Sequence, residues 1–246
     1  MNSIMDRWYE AASKRSSVRE YNGKAFSEEV IKSIKDLVHD LENENENVRL
    51  QLLTDINVFK TPFFMNSING TKYSVAVIAI NGAEQEAGSI GEAFALECTA
   101  CNIGTCWISG SYNKSIVRKH VMLKNNEALM GIIAFGHTDT LLKARTKGKK
   151  RPEELAECTA SEFRSLPEWQ QAAAKCAAIA PTARNKQEFE IEFKANSVKI
   201  YPTSSNMGFV NLDCGIAMLH IEIAAAHYGV YGTWSEKKDG FIFSIV

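Results

Sequence analysis

The sequence carries no surplus of charge of either sign: 28 lysines and arginines stand against 29 aspartates and glutamates, a formal net charge of -1. General nucleic-acid binding rests on a basic surplus and is therefore not expected. No apolar run reaches the length of a membrane-spanning helix, so no membrane partner is expected either. Residues 1–19 have scattered charges and no apolar core, which argues against a secretory signal there. Histidine is scarce, with five in the chain, and no Ser-His-Asp spacing can be drawn from them. His220 and His227 lie seven apart on one helical face, but no carboxylate pattern completes a metal set, so helix packing is the simpler role. The six cysteines are unevenly spaced. Cys98, Cys101 and Cys106 lack an evident fourth ligand, and the first two fall on an apolar helix, so buried free thiols are expected. Reduced thiols in a chain long enough to bury its own core point to a cytoplasmic protein.

What is present is the balance of an ordinary globular chain, 45% hydrophobic and 23% charged over 246 residues. That length suits one large domain or two small ones. Helical spacing runs through Val30, Ile34, Leu37, Val38 and Leu41, behind Ser27 as a cap and Glu28 and Glu29 in the first turn. Val48, Leu50 and Leu52 alternate with polar residues as a strand does. Residues 73–80 are apolar nearly throughout, the pattern of a central strand buried on both faces. A helix of small residues is expected over 89–102, a tight turn and short apolar piece over 103–110, a helix over 114–121 and a buried strand over 128–135. The polar, basic stretch 138–151 is the best linker. Helices are expected over 152–160, 168–178 and 212–227, with strands at 189–193, 197–201 and 241–246.

The helix ending near Ala178 runs into Ile-Ala-Pro-Thr-Ala-Arg-Asn-Lys-Gln, residues 179–187. Pro181 stops the helix, because proline disfavours helical geometry in the residue before it. Thr182, Arg184, Asn185 and Gln187 then crowd hydrogen-bonding groups into one loop. Taken alone, this reads more readily as a plain polar connection than as a site.

An internal echo adds context. Residues 90–104 and 215–229 align without gaps at an offset of 125, pairing Phe94 with Leu219, Glu97 with Glu222 and Gly104 with Gly229. The upstream order agrees: helix then strand over 30–52, helix then strand over 168–193. The copies differ in two places. The second has the loop 180–187 where the first has Glu42 to Glu46 in an acidic turn, and the first has paired arginines and hydroxyls at 15–19 that the second lacks.

These residues resemble the flavin-dependent nitroreductase family. Arg15-Ser16-Ser17-Val18-Arg19-Glu20-Tyr21 resembles its amino-terminal Arg-x-Ser-x-Arg/Lys motif, followed by an aromatic. Ala180 to Gln187 resembles its Ala-Pro-Ser-x-x-Asn-x-Gln loop. Gly104 to Gly110 resembles its glycine-rich segment, and Ala134-Phe135-Gly136-His137 the strand end that follows. The motif order departs from the usual one, because the Asn-x-Gln loop comes last, and in this the chain looks like the fused, pseudo-dimeric branch of the family. The resemblance implies an α+β fold, a mainly antiparallel sheet flanked by helices, with two pseudo-repeats of about 1–151 and 152–246 in a single 1–246 domain that mimics the family homodimer. A monomer acting as its own pseudo-dimer is implied.

The resemblance also implies FMN as cofactor and NADH or NADPH as co-substrate. Arg15 and Ser17, with Ser16 through its backbone, would take the phosphate, and arginine suits it because its donor fork matches the oxygens. Lys150 would be a second phosphate cation, although Gly148 falls where the family carries another. Arg19 would stabilise the negative charge of reduced flavin. Ser109 and Gly110 would face the reactive edge of the ring. Pro181, Thr182, Ala183, Asn185 and Gln187 would line the ribityl chain and ring, giving one complete site per chain. No side chain need act as a catalytic nucleophile, since the flavin carries the chemistry. The implied activity is hydride transfer from NAD(P)H through FMN to a small-molecule acceptor, a nitroaromatic or quinone, by a ping-pong cycle. An FMN-binding role without turnover, as a redox sensor or flavin carrier, is the alternative.

Overall fold

The computed structural model describes residues 4–59, 68–144, 149–204 and 208–246. In chain order the elements are α1 (Ile4–Ala12), α2 (Glu28–Asn43), β1 (Val48–Leu53), β2 (Tyr73–Ile80), α3 (Glu84–Ala100), β3 (Gly104–Ile108), α4 (Lys114–His120) and β4 (Glu127–Gly136). There follow α5 (Pro152–Leu155), α6 (Ala160–Ser165), α7 (Glu168–Ile179), β5 (Phe189–Lys194), β6 (Ser197–Pro202), α8 (Val210–His227), β7 (Gly232–Lys237) and β8 (Gly240–Ile245). They form two compact units, one of Lys14–Lys143 and one of Met1–Ser13 with Ala144–Val246. The second cut falls inside the polar stretch 138–151, while α1 belongs with the carboxy-terminal half.

In the first unit an antiparallel sheet runs β1-β2-β4-β3. β2 is central because six successive side chains, Ser74 to Ala79, are buried, as a strand covered on both faces requires. α2 starts where Ser27 accepts the Val30 amide at 3.4 Å and buries Ile34, Val38 and Leu41. The small residues of α3 let it lie close to the sheet. Gly91 shows how close: a Cβ there would come within 2.3 Å of Trp107 Cη2 on β3.

A partly buried corner of this sheet is set by charge. Arg49 on β1 grips Glu127 on β4 with two bonds, Nε to Oε1 at 3.0 Å and Nη2 to Oε2 at 2.8 Å. The guanidinium bond lowers the Glu127 carboxyl to about 2 against an ordinary 4.5. A depressed carboxyl stabilises the fold above its unfolded value, and that contribution disappears as pH falls through the folded value. Glu127→Gln should therefore lose about 2 kcal/mol at pH 7. Its stability, followed by urea denaturation, should converge on that of the wild type between pH 4.5 and 2.

In the second unit the sheet runs β5-β6-β8-β7, which is again first, second, fourth, third. Apart from α4 between β3 and β4 in the first unit and from α1, α5 and α6 in the second, each unit repeats helix, two strands, helix, two strands, and the internal echo extends to sheet topology. α8 is buried on nearly every side, with Ile221, Ile223, Ala224 and Ala225 at or near zero exposure. It packs against α7 and α1. At its end His227 Nδ1 lies 2.8 Å from Asp6 Oδ1 and the ring stacks on Tyr9 at 4.4 Å, which ties α1 down.

Four details differ from the sequence pattern. α3 begins five residues before the expected start, at Glu84. Residues 103–110 contain a true strand, β3, entered through Asn102 at a left-handed φ of 58°. The helix expected over 152–160 is two short ones, because Glu157 takes φ 46° and Thr159 starts afresh with a capping box to Glu162. The unexpected β7 is an edge strand with none of its side chains fully buried, so no apolar alternation marks it.

Candidate functional site

Residues 15–22 of the first unit are held as an extended segment beside β3. Ser17 forms a parallel bridge with Thr105, and the Val18 amide donates to the Thr105 carbonyl at 2.8 Å. Farther along, the Asn69 amide donates to Arg19 O at 2.9 Å and the Tyr21 amide to Asn69 O at 3.0 Å. Asn22 continues onto His137 O at 2.9 Å. Tyr21 is buried, with its hydroxyl 3.3 Å from Ala134 O, and burial drives its phenol well above the usual range. The strand end Ala134 to His137 is therefore the seat of the motif's aromatic.

Arg15 points inward and is only 4% exposed. Its Nε stands 3.4 Å from Oε1 of Glu92 on α3, a carboxylate with no exposure at all. The other Glu92 oxygen accepts Trp107 Nε1–H at 2.8 Å. Arg15 Nε and Nη1 are buried without a hydrogen-bond acceptor among the described residues. Such donors are costly to leave unfilled, and an incoming oxyanion would satisfy them. Ser16 is buried beside Arg15 in sequence, and Ser17 is half-buried and hydrogen-bonds Cys106. Burial raises the Cys106 thiol, opposed by the charges of Arg19 and Arg15 and by that bond. Arg19 itself is exposed. Ser109 and Gly110 directly follow β3. A Cβ at Gly110 would meet nothing within 4 Å, so the backbone there is open to a ligand.

In the second unit α7 ends at Ile179, and the next residue, Ala180, has a ψ of 141°, the extended geometry that Pro181 demands of its neighbour. One turn, Ala183–Asn185, follows. Arg184, Asn185 and Gln187 take φ of 54°, 57° and 52°. Three left-handed non-glycine residues in four are strained, and such strain persists only where the surroundings fix it. Here they do. Asp213 Oδ1 on α8 accepts the Ala183 amide at 2.9 Å, and Thr182 Oγ1 accepts the Gln187 amide at 3.2 Å. Buried Gln187 donates Nε2–H to Ala178 O at 3.0 Å and accepts the Lys150 amide at 2.7 Å. The Lys149 ammonium donates to Ala180 O.

Pro181, Thr182, Ala183, Asn185, Gln187 and Lys150 are thus brought together in one unit, and Arg15, Ser16 and Ser17 against β3 in the other. Both ends of the Gln187 amide brace the loop, while Arg184 and Asn185 are exposed at its crest. The cation position at Gly148 lies outside the described residues. Sequence reasoning missed Glu92, Trp107 and Asp213. An acid set among small and apolar neighbours was the available signal for both: Glu92 within residues 90–96 of α3, and Asp213 at the start of the strongly apolar α8. Among the described residues no group of three or more His, Cys, Asp or Glu could hold a metal, and no helix is long and apolar enough to cross a membrane.

A family model described as "Putative TM nitroreductase" matches residues 7–225. Among solved structures, a putative nitroreductase from Thermotoga maritima superposes with a TM-score of 0.68 at 18% identity, covering 97% of this chain and 93% of that one. A putative NADH dehydrogenase/NAD(P)H nitroreductase from Bacteroides thetaiotaomicron gives 0.47 at 16% identity, covering 61% and 95%. A nitroreductase with bound FMN from Desulfitobacterium hafniense gives 0.45 at 13% identity, covering 58% and 93%. The first of these matches the fold along nearly the whole chain. No curated protein matches the sequence.

Proposed function

Because the chain belongs to the nitroreductase family described as Putative TM nitroreductase, we propose that it is an FMN-dependent oxidoreductase using NADH or NADPH to reduce a small nitroaromatic or quinone. The observation that carries this is Arg15, a buried guanidinium with unfilled donors next to Ser16 and Ser17, which suits a cofactor phosphate. Bound FMN would supply hydride acceptance from the nicotinamide and electron delivery to the acceptor. The chain's own residues bind and orient it.

Arg15, Ser16 and Ser17 are the proposed phosphate holders, and Arg19 contributes a cation that favours added negative charge on the ring. The open backbone at Ser109 and Gly110 suits the reactive edge. The 181–187 loop offers Thr182, Ala183 and Asn185 for the ribityl chain, with Gln187 as its brace. Lys150, whose amide is already bound to Gln187, contributes charge. Each motif occurs once in the chain, so one flavin per chain is the proposed stoichiometry. Six free thiols fit a reducing, cytoplasmic setting.

The test is optical. FMN-loaded protein should bleach on adding NADH or NADPH under argon and recover its colour when a nitrofuran is added. Loading without bleaching would leave only the binding role, and failure to take up FMN would reject both.

A further inference from the structure

The contact beneath Arg15 is unusual for a structural ion pair. Buried arginine–carboxylate pairs are commonly bidentate, with short charge-assisted bonds near 2.7–2.9 Å. Here the closest approach is 3.4 Å, and Nε and Nη1 remain unfilled. Glu92 cannot close the gap freely, because its second oxygen is tied at 2.8 Å to the Trp107 indole. That indole is wedged in turn. A Cβ at Gly91 would sit 2.3 Å from its Cη2, and one at Gly131 would sit 3.5 Å from its Cε3. The result is a negative charge held near Arg15 but kept from saturating it.

We propose that Glu92 is an internal counter-anion that positions Arg15 for a cofactor phosphate and limits how tightly that phosphate is held, with Trp107 setting its reach. This inference rests on the FMN reading above. Without any anion, Glu92 keeps the buried guanidinium from standing as an uncompensated charge, a state proteins tolerate poorly. With an anion bound, the same carboxylate opposes it. A like charge a few ångströms beyond the arginine weakens binding by about ten- to a hundredfold at an effective dielectric of about 20. Affinity is thus exchanged for a site that stays folded when empty.

Melting curves and equilibrium titrations with inorganic phosphate and with FMN test this. Glu92→Gln should melt below the wild type in phosphate-free buffer, gain more melting temperature per decade of phosphate, and bind FMN about ten- to a hundredfold more tightly. Arg15→Met combined with Glu92→Gln should show no such gain. Trp107→Phe should act in the opposite direction: loss of the indole bond to Glu92 Oε2 lets that oxygen turn toward Arg15, so the phosphate response shrinks. Trp107→Phe also decides the matter if Glu92→Gln does not fold. An unchanged or smaller phosphate response in Glu92→Gln, or an unchanged one in Trp107→Phe, would reduce Glu92 to a structural strut. A wild type that answers to phosphate but takes up no FMN would overturn the cofactor reading and leave the Glu92 mechanism standing.

Discussion

Replacing Gly70 by alanine should lower the melting temperature by roughly 10 °C, the equivalent of about 3–5 kcal/mol. Two costs add. Gly70 sits at φ +78°, where an alanine is strained. Its Cβ would also fall 2.0 Å from Tyr21 O and 2.7 Å from Tyr21 C, both backbone atoms that no rotamer change can move aside. Relief requires the extended 17–22 segment to shift. That segment is bonded on one side to Asn69 and on the other to Thr105, so a shift breaks the Tyr21–Asn69 bond and loosens Tyr21 from its seat near Gly136. Differential scanning fluorimetry reads the stability. FMN titration reads whether Arg19, two residues before the clash at Tyr21, is lost as well. A melting point within 2 °C of wild type would show that the segment yields, against the packing described.

Asp213→Ala should cost about 2–3 kcal/mol and at least about tenfold in FMN affinity. Asp213 is 2% exposed, and its Oδ1 accepts the Ala183 amide at the start of the strained turn. Its charge also lies in the first turn of α8, where the helix dipole favours it. Without the carboxylate, Arg184, Asn185 and Gln187 have less reason to keep left-handed φ, and the exposed face of Asn185 loses its fixed direction. Asp213→Asn retains an acceptor oxygen and should lose less than half as much in both readouts. Equal losses in the two variants, measured by urea denaturation and FMN fluorescence titration, would assign Asp213 to helix stability alone.

Neither Gly70 nor Asp213 stood out in the sequence, whereas other parts of the fold were legible there. The local signals were strong and gave the right elements: the Ser27 cap, the unbroken apolar run of β2, and Pro181 ending α7. So was the internal repeat, because a shared helix pattern carried over into a shared strand order. β7 was not legible, since an exposed edge strand has no buried face to impose alternation. The inward turn of Arg15 onto Glu92 was hidden for a different reason. The two residues are far apart in sequence, and only the packing of α3 against β3, through Gly91 and Trp107, brings the carboxylate to the motif. Gln187 illustrates the same limit. Its place in a recognisable loop marked it as a cofactor contact, and its bonds to Ala178 and Lys150 give it a bracing part that no local pattern announces.

The most direct measurement is an anaerobic titration of purified protein with FMN, followed by NADH or NADPH and then a nitrofuran, with absorbance recorded throughout. The account predicts saturation at one FMN per chain, bleaching by at least one of the two nicotinamides, and return of the oxidised spectrum with the nitrofuran. Saturation at two FMN per chain, or a bound flavin that neither nicotinamide reduces, would contradict it.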